Sequence, residues 1–247
     1  MSIASFNFAS QALKKQTEVI VCFPETYSQR TDVPDRKTLW LLHGLSDDNT
    51  CWTRFSSIER YAGEYGINVI MPDGDRSMYC DNIYSQNFKE FIVKELPRYF
   101  HSIIGISNDR DKNFIAGLSM GGMGAAKIAL ANPDKYFGFG SFSGLLDLKY
   151  VAAGFANTID SEFPFMKPFF SDGTAEDPKT MLDKEKHKDM KMYISCGKQD
   201  FWIKASESFK EKADKLGMDI KYVFEDGGHD WALWDRNVKR CIDYMLK

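Results

Sequence analysis

Short apolar runs alternate along this chain with longer stretches in which apolar residues recur at helical spacing. The runs Glu18–Phe23, Lys37–Leu42, Asn68–Met71, Asn113–Ala116, Gly138–Phe142, Lys191–Cys196 and Lys221–Phe224 read as strands. Several are apolar at consecutive positions rather than at every second one, which predicts a parallel sheet covered by helices on both faces. Helices are predicted over Trp52–Tyr65, Asn87–Ile103, Met120–Ala131, Lys204–Leu216 and Asp230–Met245. In the second of these Phe88, Phe91, Ile92 and Tyr99 recur at helical spacing, and Pro97 is expected to kink or end the helix. Strand–helix alternation over most of residues 1–247 predicts one α/β domain built on a doubly wound sheet.

The rhythm fails over Asp147–Asp189, where Tyr150, Phe155, Phe163, Phe165, Phe169 and Phe170 mix with Gly, Pro and charge. This stretch is expected to be an insertion packed over one end of the sheet.

Composition narrows the partners. The 247 residues are 43% hydrophobic and 27% charged, enough for a sizeable core. A net charge of −3 leaves no excess of Lys and Arg to displace counterions, so nucleic acid is not an expected partner. The block Asp183–Asp189 mixes both signs and is expected to be a solvated face, His187 included. No apolar run approaches the ~18 residues that a membrane span needs. Met1–Phe8 lacks the basic and apolar regions of a secretory signal. The five cysteines, Cys22, Cys51, Cys80, Cys196 and Cys241, show no CxxC spacing. Free thiols in a reducing, cytoplasmic compartment are expected, with neither a disulfide framework nor a metal site. Self-association is left open by the sequence.

The sharpest chemical signal is Gly117-Leu118-Ser119-Met120-Gly121. The apolar strand Asn113–Ala116 precedes it and the helical run from Gly122 follows. This is G-x-S-x-G in a strand–turn–helix context. Glycine on both flanks allows a tight turn that exposes the Ser119 hydroxyl, and the Met120 N–H falls at a helix N-terminus that favours an oxyanion. A phosphate cradle fits less well, because G-x-G-x-x-G and a P-loop lysine are both missing. A plain tight turn with an incidental serine is the remaining alternative.

A serine nucleophile needs a base, and four histidines are available. His101 lies late in an amphipathic helix, as surface or capping residues do. His43 ends a buried strand and reads as a packing or loop-shaping residue. His229, in Asp226-Gly227-Gly228-His229-Asp230-Trp231, follows the last strand and precedes the last helix. That is where the order Ser…Asp/Glu…His places the base, although a structural loop histidine would sit there too. Asp200, leaving the strand Lys191–Cys196 through Gly197-Lys198-Gln199, is the candidate to orient His229; the competing reading is a helix cap. The loop His43–Asp48 leaves the strand Lys37–Leu42, so the Leu45 N–H is the candidate second oxyanion donor beside Met120.

Taken together, Trp40–Gly44, Ser57–Arg60, Met71–Ser77, Gly117–Gly122, Ser141–Gly144, Tyr193–Gly197 and Gly227–Trp231 resemble the tributyrin esterase group of the esterase D-like carboxylesterases. The resemblance runs over nearly the whole chain. It implies an α/β-hydrolase that cleaves short-acyl esters through an acyl-enzyme, with no metal or organic cofactor. Carried over, the nucleophile falls on Ser119, the acid on Asp200, the base on His229 and the oxyanion amides on Leu45 and Met120. A thioesterase of the S-formylglutathione type and an acyltransferase would use the same residues. A non-catalytic binding protein of the same fold would have lost one of the three, and all three are present.

Overall fold

The computed structural model describes residues 1–24, 36–81, 85–150 and 177–247. Among them, eight strands form one sheet in the order β1-β2-β4-β3-β5-β6-β7-β8. The strands are β1 (Ser2–Ser10), β2 (Lys15–Phe23), β3 (Thr38–Leu42), β4 (Asn68–Pro72), β5 (Asn113–Leu118), β6 (Gly138–Phe142), β7 (Lys191–Gly197) and β8 (Lys221–Glu225). From β4 to β8 every neighbouring pair is parallel, while β1 pairs with β2, and β2 with β4, in antiparallel register.

The consecutive apolar positions behave as the sequence predicts. In β3, Trp40 and Leu42 join the core on one face, and Leu39 and Leu41 join the core on the other. Ile115 of β5 likewise faces opposite to Phe114 and Ala116. A strand covered on both faces is buried along its length, as β3, β4 and β5 are, and the polar residues at their starts find buried partners. Asn113 Oδ1 accepts from Trp40 Nε1 at 2.9 Å, and Asn68 Nδ2 donates to Thr38 Oγ1 at 3.4 Å.

The sheet also holds a strand that the apolar runs do not announce. Strand β1 alternates, with Phe6 and Phe8 packed against the core and Ile3 exposed, because it is an edge strand covered on one side only. Its period-two pattern, Ala4, Phe6, Phe8 against Ser5, Asn7, is the signal for it.

Helices cover both faces: α1 (Cys51–Phe55), α2 (Ile58–Tyr65), α3 (Phe88–Glu90), α4 (Leu96–Ile104), α5 (Met120–Ala131), α6 (Pro178–Met181), α7 (Ile203–Lys215) and α8 (Trp231–Leu246). Two differ from expectation. The helix predicted over Trp52–Tyr65 is broken at Ser56, which turns to an extended conformation. There the Ser56 hydroxyl donates to Trp52 O, and Asp235 of α8 accepts from the Ser57 N–H at 2.8 Å. The helix over Asn87–Ile103 is not ended by Pro97. A π-helical turn, Phe91–Glu95, joins α3 to α4 and the helix runs through the proline to Ile104. Proline cannot donate to the Val93 carbonyl one turn back; Lys135 Nζ does so instead at 3.1 Å.

Between β3 and β5 the strand order reverses: β4 lies on the far side of β3, and β6 on the far side of β5. In open α/β sheets the crevice beyond the carboxyl ends of the strands at such a reversal is where ligands bind. The loops leaving β3 and β5 begin at His43 and Ser119, so the reversal brings together two of the segments singled out in the sequence.

Candidate active site

Ser119 occupies the turn between β5 and α5 with φ 50° and ψ −116°, a conformation an L-residue adopts only under constraint. Its N–H donates to Phe142 O at 2.8 Å, and its own carbonyl accepts from Met123 N at 3.1 Å. The flanking glycines are required by backbone, not by side chains. A Cβ on Gly117 would lie 2.5 Å from the Gly121 carbonyl carbon, and one on Gly121 would lie 2.5 Å from Leu42 O. No rotamer change relieves either contact, so this sequence folds into the turn only with glycine at both places.

Asp200 and His229 come together from the ends of β7 and β8. Asp200 Oδ2 accepts from His229 Nδ1 at 2.9 Å, and Oδ1 accepts from the Trp202 N–H at 2.8 Å. One oxygen of Asp200 thus meets the imidazole and the other meets a backbone N–H of the turn that leads into α7. Its side chain is fully buried while that of His229 is 18% exposed. Burial by itself would raise the Asp200 carboxyl. The hydrogen bonds from His229, Ser143 and the Trp202 amide, with the charge of the imidazole, outweigh it and hold the carboxyl below its ordinary value.

Ser143 and Trp234 complete this cluster and carry no role in the sequence reading. The buried Ser143 follows β6 at φ 52°. Its hydroxyl bonds the Asp200 carboxylate and accepts from Trp234 Nε1 at 3.0 Å. Trp234 also stands edge-on to His229, with ring centroids 4.9 Å apart at 86°. On the other side of His229, Phe201 lies at 4.3 Å, tilted 34°. Trp231 and Trp234 are three apart on α8, a spacing that puts both on the face beside His229 and was the available signal.

Ser119, Met120, Leu45 and His229 line one cavity of about 400 Å³ whose remaining wall is largely apolar, from Met78, Leu118, Leu145 and Trp231. Met120 is the first residue of α5, where an N–H has no intrahelical acceptor. The Leu45 amide lies in a turn that Asp47 N closes on Gly44 O at 3.2 Å. The expected pair of donors and the serine thus border the same space.

The other histidines are structural. His43 is buried; its Nε2 accepts from Gly74 N at 2.8 Å and its Nδ1 contacts Gly44 O at 2.7 Å, which ties the β3 and β4 loops together. His101 Nδ1 meets Ile106 O at 2.9 Å, a helix-end contact. His187 corrects the expectation of a solvated residue. It is 2% exposed, with Nε2 on Leu130 O at 3.0 Å and Nδ1 accepting from Asp183 N at 3.2 Å, while the charged residues around it stay outside. Desolvation pushes its pKa down. Mixed charge hid a side chain whose two ring nitrogens suit buried backbone groups.

Among the described residues no cluster of His, Cys, Asp and Glu suits a metal ion, and no helix is long and apolar enough to cross a membrane. The aromatics Phe155, Phe163, Phe165, Phe169 and Phe170 lie outside the described residues. Trp52 is buried behind Trp231, with ring centroids 5.0 Å apart.

Comparison with known proteins places this geometry. The Esterase family model matches residues 10–240. An acetyl esterase of Caldicellulosiruptor saccharolyticus is 29% identical over 100% of this chain and 99% of its own. The substrate-bound structure of fluorophosphonate-binding serine hydrolase F of Staphylococcus aureus superposes with a TM-score of 0.87 at 34% identity, covering 100% of this chain and 98% of its own. An S-formylglutathione hydrolase of the same organism, as apoenzyme, gives a TM-score of 0.85 at 35% identity, with 100% and 99% covered. The fold is that of the α/β-hydrolases.

Proposed function

The chain belongs to the esterase family and is a serine-dependent carboxylesterase, and we propose that Ser119, Asp200 and His229 are its nucleophile, acid and base, acting on short-acyl esters. The observation that carries this reading is the 2.9 Å contact between His229 Nδ1 and the buried Asp200, at the rim of the cavity that Ser119 enters on a strained turn. With Nδ1 so engaged, the imidazole keeps Nε2 free to act as base.

In this reading His229 takes the Ser119 proton as Oγ attacks the ester carbonyl. The Met120 and Leu45 amides hold the tetrahedral oxyanion, and the α5 N-terminus adds its dipole. His229 then protonates the departing alcohol. Water, deprotonated by the same imidazole, releases the acid from the acyl-enzyme. Every step uses the chain's own groups, and no cofactor enters the scheme. The small apolar cavity favours acetyl to butyryl groups, with the alcohol side open towards the exposed Phe201 and room there for an acylated sugar or glyceride. The acetyl esterase relative supports the same substrate class, as does the resemblance of the sequence motifs to the tributyrin esterase group.

The full-length likeness to an S-formylglutathione hydrolase favours a second reading, a thioesterase. The two separate in one experiment: kcat/KM for p-nitrophenyl acetate and butyrate against S-formylglutathione and an S-acetyl thioester. A ratio of tenfold or more towards the oxygen esters is expected. A reversed ratio would replace the ester reading with the thioester one.

A further inference from the structure

The scheme above leaves Cys80 and Lys127 without a part. Lys127 lies on α5, three residues beyond Gly124, on the helix face that packs against Tyr79. It is 1% exposed, and among the described residues no carboxylate forms an ion pair with it. Its Nζ instead stands 2.7 Å from Cys80 Sγ. That is the short end of the roughly 2.7–3.2 Å usual for N–H···O bonds, although sulfur's larger radius should set the partners farther apart. A separation this short suits two atoms that one shared oxygen can bridge.

Hydrogen bonds hold the segment from Gly74 to Cys80. Tyr79 Oη donates to His43 O at 3.1 Å, Ser77 Oγ donates to Gly74 O, and Cys80 N donates to Ser77 O. Met78 and Tyr79 both sit at positive φ, 52° and 51°. Cys80 itself is half-buried, so a small oxidant can reach it. The other four thiols are buried, and burial raises them: Cys22 and Cys196 to about 12, Cys51 to about 11, and Cys241 upward as well. Thiols held protonated are poor targets for oxidation.

We propose that Cys80 and Lys127 form a peroxide-driven covalent crosslink in which a single oxygen joins Sγ to Nζ. The Cys80 thiol is first oxidised by hydrogen peroxide to the sulfenic acid, with release of water. A second peroxide supplies the remaining two-electron oxidation as the sulfenic oxygen bonds to the Lys127 amine nitrogen. Overall, one thiol, one amine and two hydrogen peroxides give the S–O–N bridge and three waters. Sulfur and nitrogen together lose the four electrons that the two peroxides take up. The bridge would pin the loop that carries Met78, a wall of the active-site cavity, to the helix that begins at the nucleophile. Thiol reductants would reopen it.

The test is peptide mass spectrometry on the full chain after hydrogen peroxide treatment, digested without reductant. The expected product joins the Cys80 and Lys127 peptides, with a mass equal to their sum plus one oxygen less two hydrogens. It should vanish on thiol reduction and be absent from Cys80→Ser, which should keep wild-type ester turnover. The linked form should also melt higher than the reduced one, since it closes a long loop between positions 80 and 127, and Cys80→Ser should show no such rise. Recovery of Cys80 only as sulfinic or sulfonic acid, with Lys127 unlinked, would overturn the proposal. So would a linked pair lacking the extra oxygen.

Discussion

The indole of Trp234 holds the Ser143 hydroxyl at 3.0 Å, and through it the last helix is tied to the Asp200 carboxylate that meets His229 Nδ1. The acid of the proposed triad is thereby anchored from three directions: the Trp202 amide, the His229 ring and the Ser143 hydroxyl. A carboxylate with so many donors has little freedom to swing away from the imidazole.

Replacing Ser119 with Ala should reduce kcat by ~10⁴-fold or more while the fold persists, because the lost group makes and breaks the covalent bond. A fluorophosphonate should label the wild type at this serine in a one-to-one ratio. Near-wild-type turnover by the variant would refute the serine as nucleophile.

Asp200→Asn should lower kcat by ~10³-fold or more, since an amide cannot hold the productive tautomer of His229 or balance its charge. The same change at Asp226, 83% exposed and paired among the described residues with Lys198 at 3.4 Å, should cost little. Asp177→Asn, at the helix cap of α6, should leave turnover unaffected. Steady-state kinetics on the three variants decide it; equal losses would reject Asp200 as the acid.

Ser143→Ala removes one hydrogen bond to a charged acceptor, worth ~1.5–3 kcal/mol. A fall in kcat of roughly tenfold is expected, with KM little changed, because the side chain positions Asp200 and does not line the cavity. Threonine, which keeps the hydroxyl, should restore part of the rate. A KM effect with kcat intact would assign Ser143 to binding instead.

Acyl length should follow cavity size. Each methylene that the cavity accepts gains up to ~0.8 kcal/mol, and each it cannot hold loses that and adds strain. Among p-nitrophenyl esters from about two to twelve carbons, kcat/KM should peak at the acetyl to butyryl end. A maximum among the long-chain esters would show an acyl channel beyond the Met78, Leu145 and Trp231 wall.

His187 should register in the acid stability of the protein. Its folded-state pKa is depressed, chiefly by desolvation, so the unfolded chain takes up the proton first as pH falls. Stability from this group is complete above the ordinary histidine value of about 6.5 and declines as pH drops from there towards the folded value. His187→Gln should flatten that part of the melting-temperature profile. An unchanged slope would mean that other groups set it.

Much of this was present in the sequence because local rules sufficed. The consecutive apolar positions of β3, β4 and β5 can only serve a sheet buried on both faces, and Gly117 and Gly121 can only serve a turn whose backbones nearly touch. Those two patterns determine the parallel sheet and the tight turn that carries the serine before any contact is known. What the sequence did not determine depends on neighbours distant along the chain. His187 is buried because Leu130 O, 57 residues away, needs a donor. The helix survives Pro97 because Lys135 reaches the carbonyl that proline abandons. Ser143 and Trp234, 91 residues apart, meet only because α8 begins where β6 ends. Short-range periodicity records which face of an element is buried. It carries no record of which polar group will stand opposite, and that choice was made by the tertiary structure.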